Sequence, residues 1–538
     1  MSDQTPTHPS IPGDAAQPPP PPAPGPERRP DPGWRPAGNP FPVLPPALAV
    51  AHGVRMLDPL TSAPAGRGGV QPTLYVADSL LVTETVGGGG AVFGLIAELA
   101  ARHGLRVEII DLGPVELLAE GLRESGLPPT VTRRVRLVSD AAPPDAWPVL
   151  VDLRHAGLGN GEVALDHLML LSPYYASMPY YASMPYYASM PYYASMPAAP
   201  ATQYAVPGLG GRTPVALVLP DPALGRPTLP RPPVVAIPDT GLGRHSWFSD
   251  PATATDKVWV AGHLVGRYGD LPGSTFPDEP VNPLDAALPG DTGHGTFIAG
   301  LIRQICPQAH ILAIPVVTDA GVVSESCLIA TLQALLARHL HAVHLGPDGD
   351  LIDVLSLSLG YYHETPADAL ADAPLRQLLQ NFGAAGVLVV AAAGNDATTA
   401  PAFPAAFAGP GAGPAILPLA CVGAQNPDGT VAYFSNAGPW VSCHRPGAAV
   451  VSTMPTSASG EDQPSARLTY QSLRRATLDP DSFSGGFGVW SGTSFAAPVL
   501  AGQLAQALVD GGRLPDAGLD AALDRGWDAL HAELGWTR

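Results

Sequence analysis

From about residue 208 to residue 512, short apolar runs alternate with helical patterns, and this alternation constrains the fold more than any other feature. The runs lie at 234–237, 311–314, 354–357 and 387–390. The helical patterns lie at 295–304, 324–340, 367–382 and 493–508. Runs that are apolar throughout, rather than at every second residue, suit strands buried on both faces. Strand–helix alternation of this kind predicts an α/β domain with a parallel sheet covered by helices on both faces, and in such sheets active sites lie at the carboxyl ends of strands.

A chain of 538 residues exceeds what one core usually serves, so further units are expected. Residues 1–46 are dominated by proline, with five in a row at 18–22, and read as a disordered tail. Residues 47–172 read as a small α/β unit. It has extended runs at 73–76 and 80–82, an amphipathic helix at 91–103 and a strand at 105–112. A helical stretch follows Pro114, and further apolar runs lie at 131–138 and 149–151. The glycines at 87–90 precede a helix, but no Gly-Lys-Ser/Thr follows, so a flexible turn is expected rather than a phosphate cradle. The hexapeptide Pro-Tyr-Tyr-Ala-Ser-Met then occurs four times over 173–196. Proline in every unit stops helix or central strand, which makes 173–207 an extended linker. Residues 513–538 form a C-terminal helical extension.

With 28 Lys and Arg against 47 Asp and Glu, the net charge of -19 argues against nucleic acid or an anionic membrane as partner. No secretory signal and no apolar run of about 18 residues is visible, so a cytoplasmic location is expected, unless an unrecognised export route operates. The four cysteines lack C-x-x-C spacing and read as free thiols, with Cys421 inside an apolar run where it packs like alanine.

Four short motifs carry the chemistry. The run at 234–237 leads into Pro238, Asp239, Thr240 and Gly241, placing a carboxylate at a strand's end, although Asp before Thr-Gly is also an ordinary turn. Residues 291–296 read Asp-Thr-Gly-His-Gly-Thr and open an apolar helix, which sets His294 between two glycines where it can face a cleft. The run at 387–393 ends in Gly394, Asn395 and Asp396. A side-chain amide there can donate to an oxyanion, or simply close an Asx-turn. Residues 491–498 read Ser-Gly-Thr-Ser-Phe-Ala-Ala-Pro before a helix, so Ser494 sits among small residues where the N–H groups and dipole of a helix start favour negative charge.

In this set and this order, Asp239, His294, Asn395 and Ser494 with their neighbours, the chain resembles the subtilases over roughly 234–508. Ser358, Leu359 and Gly360 match a segment that lines the substrate cleft in that family. The resemblance implies a subtilisin-like sheet and a serine endopeptidase. Ser494 would be the nucleophile, His294 the general base and Asp239 the residue that orients it. Asn395 and the Ser494 N–H would hold the oxyanion, and an extended protein or peptide substrate would lie beside Ser358, Leu359 and Gly360. No cofactor is required. Subtilases often bind calcium, and Asp278, Glu279, Asp285 and Asp291 cluster before His294, but no ligand loop is recognisable and a solvated acidic loop is expected. Tyr361 and Tyr362 stand where many relatives have small residues, which alters the cleft. The unit at 47–172 would correspond to a prodomain, an intramolecular inhibitor removed by a cut between Pro173 and Pro233. The rival readings are a pseudoprotease that keeps the fold for binding, and an esterase or peptide ligase that uses the same acyl-enzyme.

Overall fold

A computed structural model describes residues 38–538 apart from 41, 43, 63–68, 89, 160, 172–202, 205–209, 275–287, 345–349, 372, 410–412 and 517. The hexapeptide repeat and most of the proline-rich stretch lie outside the described residues. The described end of that stretch is packed: Asn39 is buried, and its amide donates to the carbonyls of Pro72 at 3.2 Å and His363 at 2.8 Å. The expectation of disorder up to residue 46 therefore does not hold at this end.

The C-terminal half is built on a seven-stranded sheet, parallel throughout. Its order is Cys443–Pro446, Ala420–Gln425, Leu388–Ala392, Val354–Leu357, Val234–Asp239, His310–Pro315, Ala254–Thr255. Successive residues of each central strand serve opposite faces. Val234 and Ala236 join Glu325–His344 and Pro374–Ala384 on one side, while Val235 and Ile237 join His294–Ile305 and Thr493–Asp510 on the other. The C-terminal helix Leu519–Leu534 adds Leu523 and Leu530 to the second side. The single helix expected over 367–382 is two, Pro366–Ala371 and Pro374–Ala384. Pro374 cannot continue a helix, and Ala373 before it is extended at φ -154°, ψ 148°.

The N-terminal unit is an antiparallel sheet in which Thr73–Thr85 pairs with Val54–Leu57, Thr130–Val138 and Val163–Leu170, and Thr130–Val138 also pairs with Arg106–Asp111. Ala91–Arg102 and Ala146–His155 close one face over a core of their own. The apolar run at 149–151 lies inside the second of these helices. The Asp145 carboxylate accepts from Trp147 N and starts it. Val115–Glu124 lies against Glu325–His344 so closely that a Cβ on Gly121 would stand 2.9 Å from the Leu340 Cβ. Gln333 of the latter helix extends the N-terminal sheet: its amide accepts from Thr132 N at 2.8 Å and donates to the carbonyls of Leu112 and Thr132 at 2.5 and 3.1 Å. Leu118, Leu122, Val131 and Met169 thus share one core with Val234, Leu335 and Leu355.

Candidate active site

Asp239 ends a central strand and His294 begins a helix, and both are almost fully buried at 1% and 0% exposure. His294 Nδ1 lies 2.8 and 3.0 Å from the two carboxylate oxygens of Asp239. Since an ionised carboxylate only accepts, Nδ1 carries the proton and Nε2 is left with a lone pair. That Nε2 is buried and has no hydrogen-bond partner among the described residues. Burial lowers the His294 pKa, but the Asp239 charge and hydrogen bond, with help from Asp291, outweigh burial and raise it. Asp291 is itself buried, which pushes its pKa up to about 6 against the pull of His294 and Arg212.

Ser494 is the second residue of the helix Thr493–Asp510, so its N–H is one of the four at a helix start that lack an intrahelical acceptor. Its hydroxyl does not bond His294 here. Oγ lies 3.0 Å from the Leu171 carbonyl and 3.2 Å from that of Ser358, while Ser358 Oγ donates to Ser494 O at 3.0 Å. Asn395 Oδ1 accepts from Thr493 N at 2.7 Å and Thr493 Oγ1 at 2.8 Å, which fixes the amide so that Nδ2 is its donor end. A Cβ on Gly492 would lie 3.5 Å from that Nδ2. The loop carrying Asn395 is held from behind. Asn436 accepts from Asp396 N and donates to Ala393 O and Tyr362 Oη, and Tyr362 Oη donates to Asp396 at 2.5 Å.

Two participants escaped the sequence reading. Arg212 donates to the carbonyls of Pro289, Gly290 and Thr292, at 3.0, 2.9 and 3.2 Å, and its guanidinium lies over the Trp490 ring. It therefore clamps the turn from which His294 emerges. The other is the strand Val163–Leu170, whose C-terminal end lies against Gly360 and Ser494. Leu170 exchanges both backbone hydrogen bonds with Gly360, at 2.8 and 2.9 Å, and Leu171 N donates to Gly321 O at 3.0 Å. On its other edge the strand pairs antiparallel with Val322–Ser324, Leu170 opposite Val322 and Met169 opposite Val323. A chain in β-geometry, held on two sides, thus brings a carbonyl to the Ser494 hydroxyl.

Of the acidic residues before His294, Asp278, Glu279 and Asp285 lie outside the described residues. All four cysteines are free, with Cys306, Cys327 and Cys421 buried. No helix among the described residues is long and apolar enough to cross a membrane.

A family model described as the subtilase family matches residues 231–520, more than half of the chain. Subtilisin-like proteinase Mp1 of Magnaporthiopsis poae is 28% identical over 226 residues, which cover 41% of this chain and 48% of that protein. Subtilisin Savinase of Lederbergia lenta is 28% identical over 247 residues, 43% of this chain and 71% of its own. Subtilisin E of Bacillus subtilis (strain 168) is 24% identical over 246 residues, 43% of this chain and 49% of its own. The match thus spans about half the length of two of these three relatives.

Proposed function

Because the chain belongs to the subtilase family, we propose that it is a serine endopeptidase acting through Asp239, His294 and Ser494, and that it is made as a latent precursor whose N-terminal unit occupies its own cleft. The observation that carries this reading is the Leu171 carbonyl 3.0 Å from Ser494 Oγ, beside a buried imidazole with an open Nε2.

Rotation about the Ser494 Cα–Cβ bond turns Oγ from the two carbonyls toward His294 Nε2. As the Oγ–C bond to the substrate carbonyl forms, the hydroxyl proton passes to Nε2 and the carbonyl π pair moves onto oxygen. The imidazolium lies against Asp239, whose charge stabilises it where it forms. The oxyanion is met by Asn395 Nδ2 and the Ser494 N–H, both fixed before reaction. Collapse breaks the C–N bond, the amine leaves with the proton from Nε2, and water repeats the sequence on the acyl-enzyme. A chain in the place of 168–171 is presented as a strand between Gly321–Ser324 and Gly360.

Latency follows from the same contacts, because no substrate can pair with Gly360 and Val323 while Leu170 and Met169 do. Self-cleavage is expected C-terminal to Leu171 and before Pro233. Fluorophosphonate labelling beside Ser494→Ala, followed by mass analysis of the chain termini, tests both parts. Labelling of wild type alone on a fragment lacking the N-terminal unit is the expected result. No labelling of the wild-type chain, whether whole or freed of residues 1–207, would sink the endopeptidase reading. Wild type and Ser494→Ala chains of equal full length would sink self-cleavage.

A further inference from the structure

Residues 167, 169 and 171 of the cleft strand project to one side, as alternate residues of a strand must. Met169 and Leu171 enter the shared apolar core, but His167 does not. Its ring, 1% exposed, stacks on Tyr361 with centroids 4.4 Å apart. Nδ1 lies 2.7 Å from Glu325 Oε2 and Nε2 lies 2.8 Å from Glu364 Oε2. Both carboxylates are 2% exposed. They belong to the cleft walls and not to the strand: Glu325 follows the edge strand Val322–Ser324, and Glu364 follows the pair Tyr361–Tyr362.

Among the described residues the walls give these two carboxyl groups no counter-charge of their own, and burial raises the Glu325 pKa against the pull of His167. Glu325 receives a hydrogen bond from Tyr361 Oη at 3.3 Å. His363 Nδ1 lies 3.2 Å from Glu364, but it accepts the Thr365 N–H at 3.0 Å and so has no proton to offer there. Burial holds His363 neutral, with its pKa down at about 3. Asp166, whose charge also reaches Glu325, is met by Ser79 Oγ, Ser326 N and, at 4.0 Å, Arg134 Nε. The cation that answers both glutamates is His167, contributed by the segment that also fills the rest of the cleft. Two buried carboxylates left without a cation are costly, and the group that relieves them is selected for charge as well as shape.

We propose that Glu325 and Glu364 form a cation subsite of the substrate cleft, occupied by His167 in the uncut chain and by an Arg, Lys or protonated His of the peptides that replace it. The selected residue stands four positions before the one that Leu171 fills. This rests on the endopeptidase reading for its substrates, but not for the subsite itself. An arginine fork or a lysine ammonium can donate to both carboxylates at once, whereas glutamine brings no charge and glutamate repels.

Two measurements separate the claims. In full-length Ser494→Ala protein, amide hydrogen exchange over residues 163–171 reads how firmly the strand is held. His167→Lys or His167→Arg is expected to keep protection, and His167→Gln to exchange at least tenfold faster. Combining each with Glu325→Gln and Glu364→Gln is expected to erase the difference. Equal exchange of the Lys, Arg and Gln variants would overturn the subsite. Second, the wild-type protein is given internally quenched peptides carrying residues 163–171 followed by Ser-Ala-Gly, with Arg, Gln or Glu in the place of His167. The Arg peptide is expected to exceed the Gln peptide at least tenfold in kcat/KM, the Glu peptide to fall below both, and the Arg-over-Gln ratio to approach one in the double glutamine variant. Equal turnover of Arg and Gln peptides would overturn the substrate preference. Charge-dependent exchange with no peptide cleaved would leave the subsite standing and count against the endopeptidase.

Discussion

Replacing Asp239 with asparagine leaves the shape of the site and removes one charge, so its effect can be worked from a distance. The proton transfer that activates Ser494 leaves an imidazolium whose Nδ1 is 3.0 Å or less from each Asp239 oxygen. With an effective dielectric of about 20 for buried protein sites, a unit charge at about 3 Å attracts it by roughly 5.5 kcal/mol. At about 1.36 kcal/mol per decade this is about four decades in rate. The assay is self-cleavage of the purified full-length chain, followed by intact mass, because the scissile segment is tethered and no substrate binding enters. A wild-type half-time of about one minute would lengthen to roughly a week. The acid limb of the rate should move as well. In wild type the raised pKa of His294 means that the base is lost as pH falls through a value above 6.5; in Asp239→Asn only Asp291 still opposes burial, and that limb moves to lower pH. Self-cleavage by Asp239→Asn within tenfold of wild type would refute the assignment of Asp239 to the imidazolium.

Three further outcomes follow from the packing. Gln333→Leu strands Thr132 N and the carbonyls of Leu112 and Thr132 in a buried joint, a loss of roughly 3 kcal/mol, and should raise amide exchange over residues 106–138 about a hundredfold while leaving 388–425 unchanged. Arg212→Ala frees the turn at 289–292 and should lower self-cleavage tenfold or more, with Arg212→Lys recovering only part, since one ammonium does not reproduce the fork. The His167 cluster should make docking of the N-terminal unit depend on pH. The groups facing the ring are Glu325, Glu364, His363 and Tyr361, with Asp166 beside Glu325 and Arg154 beside His363. Burial alone would lower the His167 pKa, but the two carboxylates raise it to about 10, so its contribution is complete below 6.5 and fades as pH rises toward 10. Burial would raise the Glu364 pKa, but His363, charged only as pH falls through its own value of about 3, and His167 hold it down at about 2, so its contribution is complete above 4.5 and is lost as pH falls toward 2. Protection over 163–171 in Ser494→Ala, with exchange corrected for its intrinsic base catalysis, should be greatest between those limits, and a protection factor unchanged from pH 5 to 9 would contradict the cluster's role.

Sequence-local signals exposed the sheet and the ends of the elements that carry Asp239, His294, Asn395 and Ser494, because each of these residues sits where an apolar run meets glycine. Strand runs such as 234–237 and 354–357 are buried on both faces, and uniform hydrophobicity marks that situation without any knowledge of partners. Where the signal is ambiguous, one residue decides: Asp145 caps a helix through the apolar run at 149–151, and Pro374 divides the helical pattern at 367–382. Arg212 gave no signal at all. An arginine after two glycines reads as a surface charge until the carbonyls it clamps and the ring it covers are placed around it.

The strand Val163–Leu170 carries a signal that points away from burial. Val163–Leu170 reads Val-Ala-Leu-Asp-His-Leu-Met-Leu, and an Asp-His pair inside an apolar run argues against burial, since charge is costly to desolvate. Yet Asp166 and His167 are 0% and 1% exposed. What makes burial tolerable lies far along the chain: Glu325 is 158 residues away and Glu364 is 197. No window on the sequence can see such a compensation. The polar pair is also what separates the strand from a purely apolar plug, because Met169 and Leu171 would suit many greasy walls whereas His167 suits only one with two carboxyl groups placed to meet it. Tight but pH-sensitive occupancy, by a segment proposed to leave on self-cleavage, calls for that combination. If His167→Leu held the strand as firmly as histidine does across pH 5 to 9, the polar pair would be an accident of packing and the apolar contacts alone would account for the closed cleft.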